Sequence, residues 1–145
     1  MGSENPSEQE KRKAQRLKIS ITIVYHINKP SHVRVLVGED EVEATTSDLS
    51  EGGMSILTSY DIPVLSILTI EFMIYQVNEL DKFRFYKSIK VTGEVRSNVP
   101  SENNFYRVGI IFKTIEAEDK LELANFVKRR IESGDAEMFP DGSGA

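Results

Sequence analysis

Two short clusters hold the residue types best able to grip an anion or a planar base. The first is KRKAQRLK, residues 11–18, with five cations and no acid, in which Arg12 and Arg16 stand four apart. A guanidinium is a planar fork that binds phosphate bidentately, pairs with guanine O6 and N7, and stacks on a purine face. If this segment is helical, the spacing puts both forks on one face; if it is extended, each reaches a ligand separately. Lys11 and Lys13 are auxiliary cations on charge alone. A basic arm of this kind can equally be a plain solubilising tail. The second cluster is DLSEGG, residues 48–53. Asp48 offers a carboxylate that could accept the N1–H and N2–H donors of a guanine edge, and Ser50 offers a hydroxyl that both donates and accepts. Gly52 and Gly53 allow positive φ and a close approach to the backbone. The plainer account is a β-turn in which Asp and Ser bond their own backbone.

Composition narrows the chemistry these clusters can do. The chain has no Cys and only two His, His26 and His32, which excludes disulfides, thiolate nucleophiles and sulfur-based zinc sites and leaves little for imidazole ligation. No metal or other cofactor is expected. Net charge is -5, from 18 Lys and Arg against 23 Asp and Glu, which argues against binding to a long nucleic acid. The distribution is uneven: residues 39–51 hold six acids and no base, opposite in sign to the arm. A local cation on an acidic background suits a small anionic ligand better than a polyanion. No run approaches the roughly 18 apolar residues of a membrane span, and the N-terminus lacks a signal-peptide core, so the expected location is the cytoplasm.

The elements that must carry the clusters are mostly strands. Its 145 residues, 39% of them apolar, fit one domain. Residues 1–10 and 132–145 are polar, or rich in Gly and acid, and read as tails, leaving a folded part from about residue 17 to 131. ISITIVYHI, residues 19–27, alternates with Ile19, Ile21, Ile23, Tyr25 and Ile27 on one face. Further β-branched or aromatic runs at 33–37, 43–47, 54–58, 66–75, 83–96 and 106–112 predict six or seven strands, with Gly, Pro and Asn between them. Short strands without long connections imply an antiparallel barrel or sandwich. A helix is predicted over 116–131, acidic in its first turn and basic in its last, with Leu121, Ala124, Val127 and Ile131 as its apolar stripe.

Taken together, the two clusters resemble the PilZ domain, a bacterial receptor family for cyclic di-GMP. Arg12 and Arg16 match its RxxxR arm before the first barrel strand, and Asp48, Ser50 and Gly53 match its (D/N)xSxxG turn some thirty residues on. RVGIIF, residues 107–112, followed by an acidic turn and helix, resembles the family's last strand and C-terminal helix. The resemblance spans residues 11–131: arm 11–18, barrel 19–113 and helix 116–131. It implies an all-β fold, a six-stranded antiparallel barrel with one C-terminal helix. The arm would wrap cyclic di-GMP, often a stacked pair, against the barrel mouth. Arg12 and Arg16 would then contact phosphates and one guanine, and Asp48 and Ser50 the other. Arg96 and Arg107, near strand ends, are auxiliary candidates for ligand contact, as is Gly52, and the sequence does not place the two arginines. With no segment resembling an output domain, signalling to a downstream protein in motility, polysaccharide or virulence control is expected. So is ordering of the arm by ligand.

Three rival functions are open to this sequence. An enzyme could be built from Ser50, Asp48 and either histidine, but nothing resembles a nucleophile elbow. A small barrel for single-stranded nucleic acid could use FRFYK, residues 83–87, whose alternation equally puts Phe83 and Phe85 inward and Arg84 and Tyr86 outward. The third is a ligand-free, PilZ-like protein-interaction module.

Overall fold

The computed structural model describes residues 16–33, 41–78, 83–133 and 137–138. Arg12, Lys11, Lys13, the N-terminal tail and most of the C-terminal tail lie outside the described residues. Strands are β1 (Leu17–Lys18), β2 (Thr22–Lys29), β3 (Val42–Ser50), β4 (Gly53–Thr58), β5 (Ile67–Asn78), β6 (Phe83–Pro100), β7 (Tyr106–Ile115) and β8 (Glu137–Met138). The helix α1 spans Ala117–Ser133.

The order β2-β5-β6-β7-β4-β3, closed by β2 pairing with β3, makes a six-stranded antiparallel barrel, as the family resemblance implied. Alternation produces it. In β4 the buried residues are Met54, Ile56 and Thr58, while Gly53, Ser55 and Leu57 face outward. Ile23, Tyr25 and Ile27 from β2, Leu68, Ile70, Phe72 and Ile74 from β5, and Val108 and Ile110 from β7 fill the interior. Burial of such side chains contributes roughly 1.5–3 kcal/mol each. Tyr25 is fully buried, and its hydroxyl is satisfied by Thr58 Oγ1 at 2.8 Å.

The first strand is not continuous. Leu17 and Lys18 form β1, residues 19–21 interrupt, and β2 follows; Ile19 and Ile21 still pack against the core. Strand β3 uses its first half to pair with β2 (Tyr25↔Val42 to Thr22↔Thr45) and its last part to pair with β1 (Leu17↔Leu49). Within 132–145, Glu137–Met138 pair with β1 rather than standing free. Of the strand expected over 33–37, Val33 is helical instead, and 34–37 lie outside the described residues.

Helix α1 packs against β1, β3, β5 and β6. Its buried apolar residues are Leu123, Phe126 and Val127, with Ile131 packed beside them; of the stripe the spacing suggested, Val127 and Ile131 hold and Leu121, 63% exposed, does not. The i, i+3, i+4 set through Leu123 carries Phe126, the largest apolar side chain of the helix, and buries more area than the set through Leu121. Both ends are fastened. Asp119 in the first turn meets Lys87 Nζ at 3.4 Å, and Arg130 in the last donates to the Tyr75 hydroxyl at 2.7 Å while lying over the Tyr75 and Phe126 rings.

Candidate ligand-binding site

The β3–β4 hairpin is closed by Ser50↔Gly53 with Glu51 and Gly52 at its tip. Ser50 makes the turn: its hydroxyl donates to the Gly53 carbonyl at 3.3 Å and accepts from Gly52 N–H at 3.2 Å. Neither glycine takes a positive φ. Gly53 is required by crowding instead, because a Cβ there would meet the Ile110 carbonyl oxygen of β7 and lie 3.2 Å from Ile111 Cα. The Gly52 carbonyl accepts from Phe112 N–H at 2.9 Å, tying the tip to β7.

A β-bulge decides where Asp48 points. Val42, Ala44 and Thr46 alternate inward, so unbroken alternation would bury residue 48. Ser47 is the extra residue between Thr46↔Ile56 and Asp48↔Ser55, and it shifts the phase: Ser47 and Asp48 are both half-exposed, and Leu49 turns into the core. Thr46 Oγ1 donates to the Asp48 carbonyl at 3.1 Å, holding the bulge from inside.

Register then assembles the site from distant segments. Leu17, Leu49, Met54, Ile110 and Val95 form one cross-strand row through β1, β3, β4, β7 and β6, all buried. The neighbouring rows point away from the barrel interior, although Ser50 itself is buried at the hairpin. One runs Ser50, Gly53, Ile111 and Glu94; the other runs Asp48, Ser55, Gly109 and Ser97. One residue either side of Leu17↔Leu49, Arg16 comes opposite Ser50 and Lys18 opposite Asp48, and both cations are exposed. The small side chains of Ser50, Gly53, Ser55, Gly109 and Ser97 leave this outer wall low, bordered by Arg16 and Asp48. The sequence-predicted residues that fall within the described residues, Arg16, Asp48, Ser50 and Gly53, thus lie beside the hairpin.

The two unplaced arginines separate. Arg107 is on the outer face of β7, and its Nη1 donates across β4 to Ser47 Oγ at 3.2 Å. Arg96 lies at a bulge of β6, where its Nε pairs with Glu94 Oε1 at 3.2 Å; Lys113 reaches the same carboxylate at 3.5 Å. His26 is one residue beyond Tyr25↔Val42, near Glu41, whereas Ser50 lies eight residues further along β3 than Val42. At about 3.3 Å per residue that is far from any His26–Ser50 contact. Lys87, part of the aromatic-basic run, is committed to Asp119. Ser47, Ser55, Ser97 and Gly109 escaped the sequence-based set; the first was legible in the broken alternation of Val42, Ala44, Thr46 and Leu49. Among the described residues no group of His, Asp or Glu side chains could hold a metal ion, and no helix is long and apolar enough to cross a membrane.

No curated protein matches the sequence. Several solved structures share the fold. The Bacillus subtilis inhibitor of motility MotI/DgrA superposes with a TM-score of 0.65 at 14% identity, over 84% of this chain and 52% of that one. The MrkH–c-di-GMP complex of K. pneumonia gives 0.58 at 12% identity, over 86% and 54%. The PilZ domain of YcgR from Escherichia coli with c-di-GMP gives 0.51 at 14% identity, over 86% and 97%. The chain thus spans about half of MotI and MrkH and nearly all of the YcgR domain. At these identities the likeness is one of fold. The sequence itself matches the family model of the PilZ domain over residues 10–129, and with the six-stranded barrel and C-terminal helix this makes the chain a member of the PilZ domain family.

Proposed function

We propose that the chain is a cyclic di-GMP receptor whose site is the outer wall between the arginine arm and the β3–β4 hairpin. The observation that carries this is the register of β1 on β3, which puts Arg16 opposite Ser50 and beside Asp48 although they are 32 or more residues apart in sequence. Cations for phosphate and an outward carboxylate for a guanine edge thereby meet on one surface. The small residues between them leave room for a flat base. Family membership and the c-di-GMP carried by the MrkH and YcgR structures support the same reading.

In this account Arg16 and Arg12 bind phosphate and stack on or pair with guanine, with Lys11 and Lys13 adding charge. Asp48 accepts the N1–H and N2–H donors of the other guanine. Ser50 spends its proton on the turn and keeps one lone pair for the ligand, while Gly53 sets the β4–β7 spacing. The ligand binds singly or as a stacked pair. The chain acts as a receptor rather than a catalyst, in the cytoplasm and without a further cofactor, and passes the signal to a downstream protein that docks on the surface formed by arm, ligand and barrel.

Calorimetric titration with cyclic di-GMP, with GMP and cyclic AMP as controls, tests the assignment. Saturable binding of cyclic di-GMP alone is expected. No heat at moderate salt would return the chain to the ligand-free interaction module.

A further inference from the structure

The bulge that turns Asp48 outward is braced on the outer face by a side chain from another strand, Arg107 of β7. Ser47 is the inserted residue, and its hydroxyl sits between two partners: it donates toward the Ser55 carbonyl at 3.5 Å and accepts from Arg107 Nη1 at 3.2 Å. That uses its one proton and one lone pair. Arg107 is exposed and pairs through its backbone with Leu57 of β4 and Val99 of β6, so its side chain must cross β4 to reach β3. An arginine spanning an intervening strand to reach the inserted residue of a bulge has little to do with barrel closure, which the backbone ladder already supplies. Its effect falls on the next residue, Asp48.

We propose that Ser47 and Arg107 are positioning residues that hold the bulge in the phase presenting Asp48 to the ligand. This rests on the receptor assignment for its functional consequence. Without the Arg107 brace, the bulge keeps the long Ser47–Ser55 bond and the inner tie from Thr46 but loses its side-chain link to β7, and the Asp48 carboxylate samples orientations other than the one that meets a guanine edge. Arg107 therefore acts on base recognition through Asp48 and not as a phosphate contact. Bulges commonly re-aim a side chain beside a site.

The test is a titration of cyclic di-GMP and cyclic di-AMP into the wild-type chain, Ser47→Ala, Arg107→Ala, Asp48→Ala and the doubles S47A/R107A and D48A/R107A. Loss of one positioning hydrogen bond should weaken cyclic di-GMP by roughly three- to tenfold in either single variant. The S47A/R107A double should be no worse than either single, and Arg107→Ala should cost nothing further in the D48A background. Cyclic di-AMP, which lacks the guanine donors, should be unaffected, so the preference for guanine falls. The salt dependence of binding should keep the wild-type slope in Arg107→Ala. Wild-type affinity in Ser47→Ala, an undiminished loss from Arg107→Ala in the D48A background, or a shallower salt slope would each overturn the proposal. Ser47→Ala removes only a hydroxyl and carries the test alone if Arg107→Ala does not fold. In the free protein, amide signals of residues 46–49 should shift in both variants; unmoved signals would refute the brace whatever the ligand does. Wild-type protein that binds neither dinucleotide would refute the receptor assignment instead, with the amide result still deciding the brace.

Discussion

Gly52 and Gly53 are adjacent and chemically identical, yet alanine should act on them in opposite directions. At Gly53 a Cβ meets only backbone: the Ile110 carbonyl oxygen, Ile111 Cα at 3.2 Å and Ile110 C at 3.3 Å. No side chain is there to swing aside, so the β4–β7 ladder itself must open. Overpacking of this kind costs about 1–3 kcal/mol. For a domain of this size that is a fall in melting temperature on the order of 3–10 °C. At Gly52 nothing lies within 4 Å and φ is not positive, so alanine fits without strain. It also restricts the unfolded chain, which should leave the protein unchanged or stabilise it by about 0.4–1 kcal/mol. Urea denaturation of Gly52→Ala and Gly53→Ala beside the wild type, read as midpoints at a common slope, separates them. If Gly53→Ala unfolds at the wild-type midpoint, or Gly52→Ala falls as far, steric crowding is not the reason for Gly53. The alternative, that Gly53 is bare only to admit a ligand, predicts lost affinity with no change in midpoint.

Other expected outcomes follow from the same geometry. Arg12→Ala, Arg16→Ala and Asp48→Ala should each weaken cyclic di-GMP about ten- to a hundredfold by removing charge-assisted hydrogen bonds, with melting temperatures near wild type. Lysine should not rescue either arginine, because an ammonium neither forks nor stacks; calorimetry on the five variants checks both points. Leu123→Ala should cost about 2–5 kcal/mol and Leu121→Ala less than about 0.5 kcal/mol in denaturation, since Leu123 is fully buried and Leu121 is 63% exposed. Amide exchange over residues 5–18 should slow when cyclic di-GMP is added, and unchanged exchange at saturation would sink the idea that the ligand orders the arm.

What the sequence reveals and what it hides divides along local and non-local physics. β4 is legible because Met54, Ile56 and Thr58 alternate without interruption with Gly53, Ser55 and Leu57, and period two needs no tertiary information. The two candidate clusters are legible because each groups chemistry-bearing residues at a short fixed spacing, Arg12 with Arg16 and Asp48 with Ser50 and Gly53. Their meeting is not, since the pairing of Leu17 with Leu49 is a contact across the chain that no local pattern encodes. The helix stripe holds at Val127 and Ile131 and misses at Leu121 because overlapping apolar sets exist on α1 and only the barrel chooses between them; it adds Leu123 and Phe126. Gly53 reads as conformational freedom in sequence and turns out to be proximity to Ile110, a property of β7 as much as of the turn. The roles of Arg96 and Arg107 are equally invisible, because each is set by a partner on the folded surface, Glu94 for one and Ser47 for the other.

The most direct test of the central claim is a residue-resolved titration that follows backbone amides as cyclic di-GMP is added. Signals of Arg16, Lys18, residues 47–53, Ser55, Ser97 and Gly109 should move together and saturate at one ligand ratio. Those of Val24, His26, Glu71 and Lys90, which line a cavity on another part of the barrel, should stay in place. Shifts confined to that cavity, or no saturable shift on the wall between Arg16 and Asp48, would contradict the account.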